Sequence, residues 1–386
     1  MRPYRGRPAA RSLRQALTRS ARACSSAAAE EMTVGNRHVG LRRSSDIRFD
    51  QTLLIGKQFE RMRPRADAGL ILSDMDICAS RACYRLLYGD RPGGSVQWPS
   101  SVSVVTAAFH SFLFTQPVYE GDLVHHEGHL IHSGNSSAAV HMRVARQAWD
   151  TKAWSLVGES FITMVVVDRN RLGASVKDQL PALCLTDPQD IAAHHKYMAL
   201  RKHSSEETDW PSPLTAEAVE VPHNAIKKLR IPMRVANLRA DVFFPLTSNN
   251  YNGAVFGGAL LSFMEKCALH CGRRFAGRSR VFTMGMLSMS FDGAVFREDA
   301  VSCTAQVACV RGSTILVDVR VDADCDGKRR STNRASFLLV GTDAQGHTAP
   351  INKGIDLSVA SEEELKVYWR GRRRMENALK MRNYPN

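Results

Sequence analysis

The chain has 386 residues, 44% apolar and 23% charged, with a net charge of +14. That composition excludes a disordered or fibrous chain and fits two or three globular domains. No uncharged apolar run reaches the roughly 18 residues that a membrane-spanning helix needs.

The charge is unevenly placed. Residues 1–29 hold seven arginines, several serines and alanines, and no acid before Glu30. This is the composition of a mitochondrial transit peptide, and it takes half of the excess charge with it. What remains steers anionic ligands weakly and is not a nucleic-acid signal, so DNA is not expected as a partner. Nine cysteines are scattered without a CxxC pair and read as small hydrophobes.

Residues 30–45 read as a polar linker, and Ile47–Ile55 alternates as a first strand. Pro64 precedes a helix over Asp67–Leu87. Strands follow at Val102–Phe109, Ser111–Phe114, Asp122–His132, Ala138–Trp149 and Ser155–Val167, with turns at Gly121-Asp122 and Gly134-Asn135-Ser136. A helix followed by antiparallel strands points to an α+β layer in which a sheet curls around the helix. His125, His126, His129 and His132 share one strand, where alternation sends 126 and 132 to one face and 125 and 129 to the other. No metal ligand set results, and neither a metal nor another cofactor is expected.

Asp187-Pro188 opens a connector helix over 188–203, and residues 206–213 read as loop. The second half runs from Val235–Pro245 into a helix at Gly257-Gly258, then strands at Arg280–Phe291, Val301–Val310, Thr314–Asp322 and Arg334–Thr342. Ser361-Glu362-Glu363-Glu364 is a capping box that starts a basic helix to about Met381. Arg370, Arg372, Arg373 and Arg374 read as its solvated face.

The chain repeats itself. Ala68-Gly69 through Ser73, Met75-Asp76 and Cys78-Ala79 recurs 189 residues later as Gly257-Gly258 through Ser262, Met264-Glu265 and Cys267-Ala268. Thr106, Ser111, Phe114 and Asp122 match Thr283, Ser288, Phe291 and Asp299 at an offset of 177. So long a period implies two domains rather than a solenoid. The expected division is 1–29 presequence, 45–170 first domain, 171–212 connector, 213–345 second domain and 346–386 tail. Both repeated helices look apolar on every side, which makes their acids, Asp76 and Glu265, conspicuous.

This plan resembles the hotdog fold, a long helix inside a curved antiparallel sheet. Asn250-Tyr251-Asn252-Gly253-Ala254-Val255-Phe256-Gly257-Gly258…Met264-Glu265 resembles the Asn-x-x-Gly-x-x-Phe-Gly-Gly…Met-Asp signature of acyl-CoA thioesterases. Two such units behind a transit peptide are similar to the mitochondrial double-hotdog acyl-CoA thioesterases. The resemblance implies an intramolecular pseudo-dimer, a matrix location, acyl-CoA as substrate, and homo-oligomers of such chains.

Thioester hydrolysis needs an activated water and a stabilised oxyanion. A carboxylate supplies the first, and a glycine-opened helix start the second. Residue 265 stands seven positions beyond Gly258, about 10 Å along the axis, so one helix does not serve both needs at one carbonyl. The resemblance therefore implies two composite sites, Asp76 with the Asn252–Gly258 segment and Glu265 with the start around Gly69. Thr106 and Thr283 are candidates to bond the acid or the water, and Ser111 and Ser288 to line the substrate path. Asp76 and Glu265 also fit salt-bridged helix residues, and both threonines fit ordinary strand residues. Ala254 and Arg65 stand where the family often has Asn or Asp, Ala68-Gly69 replaces Gly-Gly, and Glu265 replaces aspartate. These departures favour the Asp76 site. They also support a competing expectation, a catalytically degenerate structural or assembly subunit of a mitochondrial complex.

Overall fold

The computed structural model describes residues 31–56, 64–89, 101–169, 174–203, 210–250 and 253–383. The presequence, the 206–209 stretch and Asn252 lie outside the described residues. The fold is mixed α+β and divides into two compact units, one formed mainly by residues up to Met198 and the other mainly by the rest.

The first unit begins with β1 (Met32–Val34), β2 (Leu41–Arg43) and β3 (Phe49–Leu54), followed by helix α1 (Ala68–Tyr88). Next come β4 (Val102–Phe109), β6 (Leu123–Ser133), β7 (Ser137–Gln147), β8 (Trp154–Asp168), β9 (Ala182–Leu185) and α2 (Pro188–His203). Its main sheet has the order β4-β8-β7-β6-β3, and the β3–β6, β6–β7 and β7–β8 pairings are antiparallel. Residues 107–113, including β5 (Phe112–Leu113), group with the second unit.

α1 packs on β3, β6, β7 and β8 through Ile71, Leu72, Met75, Cys78, Ala79, Ala82, Cys83 and Leu86. It is not buried all round, because Leu70 and Arg81 face water. The expected linker is also structured. Met32–Val34 pairs with the buried strand β9, as Met32↔Leu185 and Val34↔Leu183, and β2 joins β9 on its other side. Partners about 150 residues apart leave no local pattern to read.

The second unit contains short helices α3 (Ala216–Val219) and α4 (Pro222–Ala225), then β10 (Leu229–Pro232), β11 (Asn237–Val242) and α5 (Gly257–Ala276). β12 (Val281–Phe291), β13 (Ala300–Arg311), β14 (Thr314–Cys325), β15 (Lys328–Gly341), β16 (Lys353–Asp356) and α6 (Glu362–Asn383) complete it. The sheet order is β11-β13-β14-β15-β12, antiparallel throughout. α5 lies on one face of this sheet and exposes a stripe of Lys266, His270 and Arg274, four residues apart.

α6 covers the opposite face. Its capping box forms as the sequence indicates, with Ser361 N–H donating to Glu364 Oε2 at 2.8 Å and Glu364 N–H to Ser361 Oγ at 3.3 Å. Leu365, Tyr368, Met375 and Ala378 make the buried stripe. A side chain at Gly371 would press on Ala308 at 3.0 Å, so glycine there sets the close approach of helix to sheet. Contrary to the solvated-face expectation, Arg370, Arg372 and Arg374 are half-buried. Arg372 donates to Val219 O and Arg374 to Ser336 Oγ, so their guanidiniums dock the helix.

Candidate functional site

In each unit the helix acid meets a strand hydroxyl. Thr106 Oγ1 donates to Asp76 Oδ1, and Thr283 Oγ1 donates likewise to Glu265 Oε1. Asp76 and Glu265 are each only 1% exposed. A carboxylate buried this deeply needs charge-stabilising bonds, and a donated hydroxyl proton is one. The hydroxyl also fixes the carboxyl rotamer. Thr106 additionally contacts Met164 Sδ at 3.5 Å. Glu265 reaches its threonine despite the extra methylene, and β12 carries a bulge directly after Thr283.

The two helix starts differ. Asp67 is the N-cap of α1, and its carboxylate accepts from the Gly69 N–H at 3.1 Å. The Gly69 donor is therefore already taken, and a negative charge stands where an oxyanion would form. Phe256 is the N-cap of α5 and offers no side-chain cap. Its carbonyl receives Ala259 N–H and Leu260 N–H, at 3.0 and 3.2 Å. Among the described residues no side chain caps Gly257 or Gly258, and this start carries the positive end of the helix dipole.

The lead-in is held by backbone bonds: Val255 N–H to Val295 O and Phe256 N–H to Ser248 O, both 2.7 Å, and Asn250 N–H to Ala254 O at 2.8 Å. Gly253 takes φ +78°, a left-handed geometry that glycine adopts without strain. Asn250 heads this turn, its carbonyl accepting from Gly253 N–H at 3.1 Å, and Asn252 lies outside the described residues.

The Gly-Asp turns that close each repeat carry matching ion pairs. Asp122, fully buried, accepts from Tyr119 N–H and from Arg146 Nη1 at 2.9 Å, and Arg146 lies over the Tyr119 ring. Asp299 accepts from Phe296 N–H and Arg330, and Arg330 lies over the Phe296 ring. The arginine comes from β7 in one unit and β15 in the other.

Ser288, one of the two serines expected to line the substrate path, faces away from α5. It pairs with Ser336, whose hydroxyl meets Asp318 and Arg374 of α6. Ser288 and Ser336 therefore lie on the sheet face away from α5, Glu265 and Gly258. The bulges after Thr283 and after Met286 cancel in parity, so Ser288, five residues beyond Thr283, takes the face opposite to it. Ser111 lies half-buried in the turn between β4 and β5.

The histidines are re-sorted by a bulge between Leu130 and His132. His132 turns to the His129 face, stacking on His194 of α2, while His129 Nδ1 bonds Asp190 of α2 at 2.9 Å. Among the described residues no group of His, Cys, Asp or Glu is placed to hold a metal. Burial alone would lower the His129 pKa, but bonds to Asp190 and Glu127 raise it to about 9. Burial also opposes charge on Glu127 and Asp190, yet the His129 bond holds Glu127 down near about 2 and Asp190 below its usual value. His126, on the α1 face, is pushed down to about 4 by burial. Asp74, one residue removed from Met75-Asp76, is raised to about 6 by burial, a carboxyl that the sequence reading passed over.

Comparison with known proteins decides the family. The Thioesterase superfamily profile matches residues 252–328. An acyl-CoA thioester hydrolase of Buchnera aphidicola is 34% identical over 104 residues, covering 25% of this chain and 75% of that protein. The chain belongs to the acyl-CoA thioester hydrolase family. As a member of that family it is an enzyme, a thioester hydrolase. A second member, YkhA of Bacillus subtilis, is 28% identical over 127 residues, covering 32% of this chain and 71% of that protein. Among solved structures, a hexameric acyl-CoA thioesterase is 22% identical, with a TM-score of 0.38, covering 41% of this chain and 99% of that one. No helix among the described residues is long and apolar enough to cross a membrane.

The capped start of α1 was visible in the sequence. The 189-residue offset that aligns Ala68-Gly69 with Gly257-Gly258 also aligns Asp67 with Phe256, an N-cap residue against one that cannot cap.

Proposed function

We propose that the chain hydrolyses fatty acyl-CoA to free fatty acid and coenzyme A. The observation that carries this is the buried carboxylate bonded to a strand threonine, present in both units, together with the uncapped glycine start of α5. In the proposed reaction a carboxylate takes a proton from water as the oxygen attacks the thioester carbon. The carbonyl oxygen gains negative charge and is held by the N–H groups at a helix start. Collapse breaks the C–S bond, and the thiolate leaves with a proton. Thr106 orients Asp76, and Thr283 orients Glu265.

The sequence duplication supports a tandem double hotdog acting as a pseudo-dimer, with Asp76 serving the Gly257-Gly258 start. On this reading residues 1–29 direct the chain to the mitochondrial matrix, and chains associate as homo-oligomers.

Protein lacking residues 1–29, assayed across acyl-CoA chain lengths, tests the activity. Turnover that falls at least about a hundredfold in Asp76→Asn, with unchanged circular dichroism, is the expected result. Absence of turnover at every chain length would leave the assembly-subunit reading in place. Import of a 1–29 fusion into isolated mitochondria, with cleavage, is the expected outcome for location.

A further inference from the structure

Asn333 is a fully buried residue of β15, and among the described residues neither its amide oxygen nor its amide nitrogen has a hydrogen-bond partner. Its cross-strand neighbours are Phe291 and Val321, with Cys303 one strand further. Such an amide loses its water and regains nothing from the protein, which is costly unless something else occupies the space beside it.

Its direction follows from the register. Leu339 packs on Gly272 of α5, and β15 pairs with β14 without a break from Asn333 to Val340. Every second residue back from Leu339 therefore faces α5: Phe337, Ala335 and Asn333. Its place along the helix follows too. β12 starts just after α5 ends and runs back along it, and Asn333 pairs with its last residue, Phe291. Asp292 N–H and Gly293 N–H then bond Thr332 O, and Val295 O holds Val255, two residues before the helix. The amide thus lies under the opening half of α5, the half whose uncapped start is the proposed oxyanion site.

We propose that Asn333 is a specificity residue that hydrogen-bonds an oxygen substituent on the acyl group near the thioester, so that this site favours hydroxyacyl-CoA over plain acyl-CoA. This rests on the thioesterase reading of the same site. A hydroxyl satisfies one of the two stranded polar atoms, whereas a plain chain leaves both unpaired. The first unit serves as an internal comparison. The row His126, Val144, Gly158 corresponds to Cys303, Val321, Asn333, and places a glycine where the amide stands.

The test compares butyryl-CoA with 3-hydroxybutyryl-CoA in the wild type, Asn333→Val and Asn333→Ser. The wild type is expected to favour the hydroxylated substrate about tenfold in kcat/KM. Asn333→Val should bring the ratio near one by slowing only the hydroxylated substrate, with its melting temperature unchanged or raised. Asn333→Ser, which keeps a polar group, should retain part of the preference and gives the answer if the valine variant does not fold. Hydrolysis of butyryl-CoA with no preference in the wild type, or equal losses on both substrates in the variants, overturns the inference alone. Hydrolysis of neither substrate overturns it together with the thioesterase reading.

Discussion

The opening turns of α1 and α5 solve the same problem in opposite ways. Each helix has backbone donors at its start that the helix itself does not satisfy. α1 satisfies one with Asp67 on Gly69 N–H, a cap usually worth about 1 kcal/mol. α5 places Phe256 at that position and forgoes the cap. A helix start that binds an anion in catalysis has to keep its donors open, so stability and chemistry compete for the same N–H groups. The acid–threonine pairs do not differ in this way, and neither do the Gly-Asp turns. The repeats therefore diverge most where the substrate is proposed to meet the backbone.

The acids give the largest expected contrast. Asp76→Asn should lower kcat by about 10²–10⁴, the range of general-base catalysis, while Glu265→Gln lowers it less than about tenfold. Stopped-flow or thiol-release rates measure both, and equal losses would put both acids on one footing.

The turn pairs come next. Removing Arg146 leaves Asp122 buried without its cation, at a cost of about 3 kcal/mol. Arg330 is 37% exposed against 16% for Arg146, so Arg330→Met should cost clearly less than Arg146→Met in urea unfolding. The reverse order would show that exposure does not set the difference.

A smaller contrast depends on pH, because the described residues of the second unit have no pair like His129 and Asp190. The His129 pKa is raised to about 9, so its contribution is complete below its ordinary value of 6.5 and is lost as pH rises through about 9. The lowered values of Glu127 and Asp190 act in the other direction, contributing above pH 4.5 and fading in acid. Melting temperature should fall by several degrees between pH 6 and 9.5, and His129→Gln should flatten that fall. An unchanged slope in the variant would remove His129 as its source.

Much of this was readable before any coordinates. Val102–Phe109 and the 188–203 helix match end to end, because alternation and the Asp187-Pro188 start are local signals. The acid–threonine pairs were visible as duplicated letters, although the sequence did not show that they touch. What escaped depends on distance or register. β1 and β9 pair across about 150 residues. A single-residue bulge in β6 turned His132 to a face that simple alternation did not assign it. Asn333 escaped because it is conspicuous only once its surroundings are known to be apolar.

The most direct test of the account adds one methyl group to each helix start and follows acyl-CoA hydrolysis. Gly258→Ala crowds the open start of α5 and should lower kcat/KM about tenfold or more, while Gly69→Ala, at the already capped start of α1, should leave it within about twofold. Equal losses, or a larger loss at Gly69, would contradict the claim that the open start of α5 is where the thioester is held.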